Sequence, residues 1–284
     1  MEISILQIKR KADMFTRNYF RKIYLIFLFV NMINVFIQLI PSGIISIALS
    51  FFTVTLTHAY TVVSMKMIHS EADQISFKDS FAGYYSFMKV FPAYLMKKIT
   101  LTCISVIIVL PAFLLINNKL QLSLSDFINW MRLFIVGGFE SSLNWIFEEF
   151  ALNSILLVAS ATISAIVTTV FSYGFALVPY LLESYDIAWN EALLKSWQLM
   201  KGHKRELLLL QFLYLPRMII STLFTNLLLS LAYLSPIFVT VPIFFYIYAP
   251  IILWLPQMQV ATALFFEVLK TNDENTNTNQ LFRI

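Results

Sequence analysis

Long apolar runs alternate with short polar segments along this chain, and the runs set its architecture. The first reads "IYLIFLFVNMINVFIQLI" over 23–40, and the second covers 44–65 after a tight Pro-Ser-Gly reversal. Further runs cover 99–116, 155–182, 207–234 and 237–255. About 20 apolar residues, at a rise of about 1.5 Å each, cross a hydrocarbon core of roughly 30 Å. The pattern predicts an all-α fold: a polytopic membrane helix bundle of six transmembrane spans forming one domain over 1–270, with a polar tail at 271–284. The fourth and fifth runs exceed a perpendicular crossing, so tilt, a kink or an interfacial extension is expected there.

Two segments between the runs are amphipathic. From Ile187 to Lys201, Trp189, Ala192, Leu193, Trp197 and Met200 share one helical face. Asn190, Glu191, Lys195, Gln198 and Lys201 share the other, which predicts a helix lying in the cytoplasmic interface with its tryptophans at acyl-chain depth. Asp186 is placed to cap that helix, Glu191 and Lys195 form an i,i+4 pair, and Gly202 suits the left-handed residue that ends it. A second such segment carries Phe77, Phe81, Tyr84, Tyr85, Met88 and Phe91 at helical spacing, with Pro92 marking the bend into the membrane. The order span, interfacial helix, span thus occurs twice, the pattern of a parallel internal repeat.

Composition agrees with the runs. Of 284 residues 59% are hydrophobic and 13% charged, against roughly 25% charged in soluble domains. Basic residues stay cytoplasmic, and they crowd the N-terminal segment (Lys9, Arg10, Lys11, Arg17, Arg21, Lys22), the 66–98 link and the 195–205 link. The 117–154 segment carries Lys119 and Arg132 against four acidic groups, so it is the outer loop, and both termini are cytoplasmic. The net charge of +4 then faces anionic headgroups of the phospholipid bilayer. Nucleic acid is not the expected partner, because the charges form no continuous groove. Cys103 is the only cysteine, which excludes an intrachain disulfide. The first run lacks a following small-x-small cleavage site and is expected to stay as an anchor.

The string "EALLKSWQLMKGHKRELLLLQF" resembles the signature of a bacterial multi-pass membrane family, domain of unknown function nine-seven-five. That pattern is an alanine and a serine four or five residues apart, then Leu-Met-Lys-Gly-His-Lys, then an apolar span. Ala192, Ser196, Leu199, Met200, Lys201, Gly202, His203 and Lys204 match it. The family's closing pattern is similar to "PQMQVATALFFEVL" through Pro256, Thr262, Phe265, Phe266 and Leu269, with Gln257 where the family has tyrosine. This chain also reads "LYLPRM" where members run Ser-Phe-Ile-Gly-Trp, so its fifth and sixth spans depart from the pattern. The resemblance implies a six-span bundle distantly similar to the membrane domain fused to some glycerophosphodiester phosphodiesterases. It implies no activity.

Candidate chemistry is sparse. Arg217 lies ten residues after Leu207, and a straight span would carry it about 15 Å deep, with Asn31, Asn34 and Gln38 on span one as partners. Alternatively Pro216 breaks the helix and Arg217 anchors the true span at the interface. His69, Glu71 and Asp73 are metal-capable, but only His69 and Asp73 share a helix face, and His58 is isolated, so no metal site is expected. No nucleophile elbow, zincin motif or glycine-rich phosphate loop occurs. His203 among Lys201, Lys204 and Arg205 suits phosphate headgroups, with ordinary loop solvation as the alternative. Ser160, Ser164, Thr168 and Ser172 recur every four residues and suit close helix packing or a polar path. The outer "FINWMRLFIV" and "LNWIFEEF" suit the outer interface.

These observations point to a non-catalytic, cofactor-free accessory or lipid-contacting component of an envelope or export assembly in the bacterial cytoplasmic membrane. The alternative is a small transporter or permease subunit with a polar path near Arg217, partnered by another membrane protein or an ABC-type ATPase.

Overall fold

A computed structural model describes residues 4–38, 52–120, 155–232 and 240–281, together with the single positions 49 and 125. All secondary structure among them is helical. The elements are α1 (Ile5–Gln38), α2 (His58–Ile68), α3 (Ala82–Tyr85), α4 (Phe87–Leu120), α5 (Ile155–Gly174) and α6 (Val178–Ser184). They continue with α7 (Trp189–Leu199), α8 (Lys204–Phe212), α9 (Leu215–Ala232), α10 (Thr240–Leu253) and α11 (Leu255–Leu281).

Three helices among the described residues are long and apolar enough to cross a membrane: Ile5–Ile37, Phe87–Pro111 and Ala159–Ser184. Two bent pairs, Lys204–Phe212 with Leu215–Leu228 and Phe245–Leu253 with Leu255–Glu274, raise that number to five if each is one span. Of the expected span at 44–65, positions 44–48, 50 and 51 lie outside the described residues and the remainder is helical apart from a turn at Thr57, while most of the outer loop with its two aromatic segments lies outside them.

Prolines write the breaks. Pro179, Pro216 and Pro256 each follow by four residues a carbonyl that a continuous helix would pair with their missing N–H: Phe175, Phe212 and Ile252. The chain breaks between α5 and α6, bends by 50° between α8 and α9, and bends by 42° between α10 and α11. Pro92 makes no break, because it sits in the second turn of α4 and removes a single hydrogen bond. The bend expected there falls at Ser86 instead, between α3 and α4.

The core lies at the basic end of the bundle. The charged N-terminal segment is the first half of α1, and its Ile8, Ala12 and Thr16 continue into Ile23 and Phe27 of the second half as a buried stripe at helical spacing. That stripe packs along α11, where Val260, Ala261, Phe265, Phe266 and Leu269 are buried. Four of the five closing-motif residues thus lie in α11 as core, with Pro256 buried at its start. The same helix continues through the polar segment set apart at 271. Around α1, α2 and α11 pack two helix pairs, α4 with α5 and α9 with α10. Their outer faces are bare and apolar: Ile107 is 70% exposed, and Ile163, Ile166, Ile220, Leu223 and Leu227 are exposed too. Such faces, among the described residues, are compatible with a surrounding membrane.

Candidate functional site: the signature turn and a polar chamber

The signature residues divide by burial. Ala192, Ser196 and Met200 are fully buried along one face of α7, while Lys201, Gly202 and Arg205 are exposed. The face expected to meet acyl chains is therefore covered by protein, because α7 packs on α4, α5 and α6. Trp197 packs on Phe171 and Phe175, and a Cβ at Gly174 would lie 2.2 Å from its ring. Ser196 Oγ donates to the Gly174 carbonyl at 2.8 Å and accepts from the Leu177 N–H at 3.3 Å. Lys97 Nζ donates to the Phe175 carbonyl at 3.4 Å. Two side chains from other helices thus bond the backbone groups that the α5–α6 break releases.

Gly202 ends the segment at φ +89°, as its position predicts. His203 Nδ1 is hydrogen-bonded to Glu206, and Lys204 Nζ lies 3.9 Å from the Trp197 ring centroid, so neither side chain is unengaged. The expected capping role of Asp186 is not observed: Ala188 is the N-cap, without a side-chain bond, and Asp186 pairs with Lys89. That ion pair holds the Asp186 carboxyl below its usual range. Lys195 lies 3.9 Å over the Tyr185 ring. Burial first, then the hydrogen bond to Glu274, pushes the Tyr185 phenol up to about 12.

Arg217 sits in the first turn of α9, just after the break, and pairs with Asp13 at 3.5 Å. Both line a cleft of about 490 Å³ with Arg17 and Gln257. Asn31 and Asn34 line a different chamber, of about 470 Å³, with Tyr60, Ser221, Thr225, Asn226, Tyr246 and Trp254. Among the described side chains Arg217 therefore does not join Asn31 and Asn34. The physical reason is the Pro216 break, which leaves Arg217 at the basic end beside the first half of α1. Gln38 is the last residue of α1, and its side chain lies outside what is described. The stripe on α5 joins it to α4 through Ser105 and Ser164, whose hydroxyls are 2.7 Å apart, and it does not border the chamber.

The family model described as "Protein of unknown function (DUF975)" matches residues 1–273. The chain belongs to the DUF975 family. No curated protein and no solved structure matches it.

In this DUF975 member two polar contacts escape sequence reasoning. His58 is buried between Glu183, at 3.5 Å from its Nε2, and the Tyr94 hydroxyl, at 3.4 Å from its Nδ1. Gly83 packs against the same helix, where a Cβ would lie 2.0 Å from the Thr55 carbonyl. His69 pairs with Glu267 at 3.2 Å and Asp73 with Lys22, since α2 ends at Ile68 and Ser70 turns the chain at φ +63°. His69 and Asp73 thus do not share a helix face. Among the described residues no group of three or more His, Cys, Asp or Glu side chains could hold a metal ion.

Proposed function

We propose that this DUF975 chain is a non-catalytic integral protein of the bacterial cytoplasmic membrane that holds the inner leaflet by its basic end, both termini cytoplasmic. It serves an envelope or export assembly as an accessory, lipid-contacting component. The observation that carries this reading is the division of the signature: Ala192, Ser196 and Met200 anchor the turn, and Lys201 and Arg205 are left projecting. Arg10, Lys11, Arg17 and Arg21 project from the same end of α1. Anionic headgroups attract such residues by about 1 kcal/mol each near the surface. The phospholipid bilayer is the first partner, and a second membrane protein or an ABC-type ATPase the next.

The test is thermal unfolding in nanodiscs of phosphatidylcholine with and without phosphatidylglycerol. Anionic lipid raises the midpoint of the natural chain, and Lys201→Gln with Arg205→Gln reduces that gain. An equal midpoint in both lipids removes the reading.

A second reading, a small transporter or permease subunit, is supported by the chamber beside α1. Its polar lining differs from the path expected near Arg217, since it draws on α1, α2, α9 and α10.

A further inference from the structure

We propose that the chamber lined by Asn31, Asn34, Tyr60, Ser221, Asn226 and Trp254 is a binding site for a small neutral polyol. The proposal rests on the transporter reading only for its purpose, since a site can bind without moving its ligand.

Depth comes first. Asn34 lies in the second half of α1, and Asn226 lies nine residues beyond Arg217 in α9, each within a helical segment apolar enough to count towards a membrane span. The amides therefore meet inside the apolar belt, where an unpaired polar group is costly. A volume of about 470 Å³ lies within the range of ligand sites, roughly 300–1,000 Å³, and far above the space of one or two waters.

The lining chooses the ligand. Amides and hydroxyls from four helices converge there, and no Asp, Glu, Lys, Arg or His is among them. An ion would find no countercharge in that low-dielectric setting. Asn31 donates to the Ile247 carbonyl at 2.7 Å and Thr225 to the Ser221 carbonyl at 2.9 Å, but a hydrocarbon would offer the Tyr60 hydroxyl nothing. The Tyr60 side chain is 6% exposed, and among the described residues its buried hydroxyl has the Asn34 side chain beside it but no well-formed hydrogen bond. That hydroxyl, in a chamber also lined by Trp254 and Tyr246, calls for a partner that brings its own hydroxyls. A polyol supplies them, and its C–H faces lie against the aromatic rings. Charge is kept apart, because Arg17, Asp13 and Arg217 line the neighbouring cleft.

The experiment is equilibrium dialysis of the detergent-solubilised full chain against radiolabelled sorbitol and against gluconate, which has the same carbon chain with one carboxylate. Saturable sorbitol binding, at least tenfold tighter than gluconate, is expected. Tyr60→Phe keeps the ring and removes only the hydroxyl, and Asn34→Leu removes an amide. Each weakens sorbitol binding about tenfold while the chain stays monodisperse. Absence of saturable binding, equal binding of gluconate, or indifference to both substitutions overturns the proposal. Flux of sorbitol into proteoliposomes is read separately: binding without flux overturns the transporter reading and leaves the site standing.

Discussion

Ser196 donates its hydroxyl hydrogen to the Gly174 carbonyl at 2.8 Å, and so ties α7 to the end of the long apolar helix α5. The bond is fully buried and supports a break that Pro179 enforces. Ser196→Ala leaves the Gly174 carbonyl and the Leu177 N–H short of a partner, at a cost of about 1–3 kcal/mol. A lowered unfolding midpoint in detergent, together with faster proteolysis within 174–178, is the expected outcome. An unchanged midpoint would mean that the break holds itself.

Gly174→Ala is predicted to destabilise for a different reason. Its new Cβ would overlap Trp197, and forcing a methyl into a filled site costs about 1–3 kcal/mol. The two positions are coupled, so Trp197→Leu should restore part of the loss, and the double variant should be more stable than the sum of the single effects allows. Additive effects in thermal unfolding would refute the contact.

How much of this was legible follows from where each partner lies. Gly202 could be read because a left-handed helix end is a local event. The apolar faces of α5 and α9 could be read because a span needs nothing but its own residues. The acceptor of Ser196 lies 22 residues away and that of His58 lies on another helix, so neither bond leaves a local pattern. The first half of α1 misled for another reason. Its lysines and arginines read only as a basic segment ahead of the span, while Ile8, Ala12 and Thr16 keep the helical period that packs them on α11. Charge density masked periodicity there. Arg217 depended on how strongly Pro216 breaks the helix, which composition alone does not set.

Tyr214, fully buried at the bend between α8 and α9, offers a sharper test of packing against hydrogen bonding. Its ring fills the core, with the Lys9 ammonium 5.8 Å from its centroid, whereas its hydroxyl is buried without a hydrogen-bond partner among the described residues. Tyr214→Phe should be neutral or stabilising, since it removes an unsatisfied group and keeps the ring. Tyr214→Ala should cost about 3–5 kcal/mol through the cavity it leaves. Unfolding midpoints of the two variants decide between the contributions, and a large loss in the phenylalanine variant would contradict the geometry.

Acid should loosen two exposed ties. Hydrogen bonding and then the charge of Lys22 hold the Asp73 carboxyl below its usual range, and Lys89 does the same for Asp186. A carboxyl depressed in the folded state contributes stability above its unfolded value, about 3.8, and loses it as pH falls through the folded one. The difference in midpoint between the natural chain and Asp73→Asn or Asp186→Asn should therefore be flat near neutrality and shrink below about pH 4. Both ties lie in solvent, so the difference is small and should fade in high salt. A gap that widens on acidification would reverse the sign and exclude these pairs as its source.

Arg217 and Asp13 pair the first turn of α9 with the first half of α1. Their charges are 3.5 Å apart, with side chains 39% and 27% exposed, so water still reaches both and the pair contributes on the order of 1 kcal/mol. Arg217→Met alone leaves Asp13 without its countercharge, and adding Asp13→Asn should recover much of the loss. Depth itself is read by Arg217→Cys in a Cys103→Ser background, reconstituted in vesicles of known orientation. A membrane-impermeant maleimide should react from the cytoplasmic side alone, because Pro216 ends the helix before it carries the position inward. Labelling from both sides would place residue 217 on an aqueous path across the bilayer, and would return the arginine to the chamber from which the structure separates it.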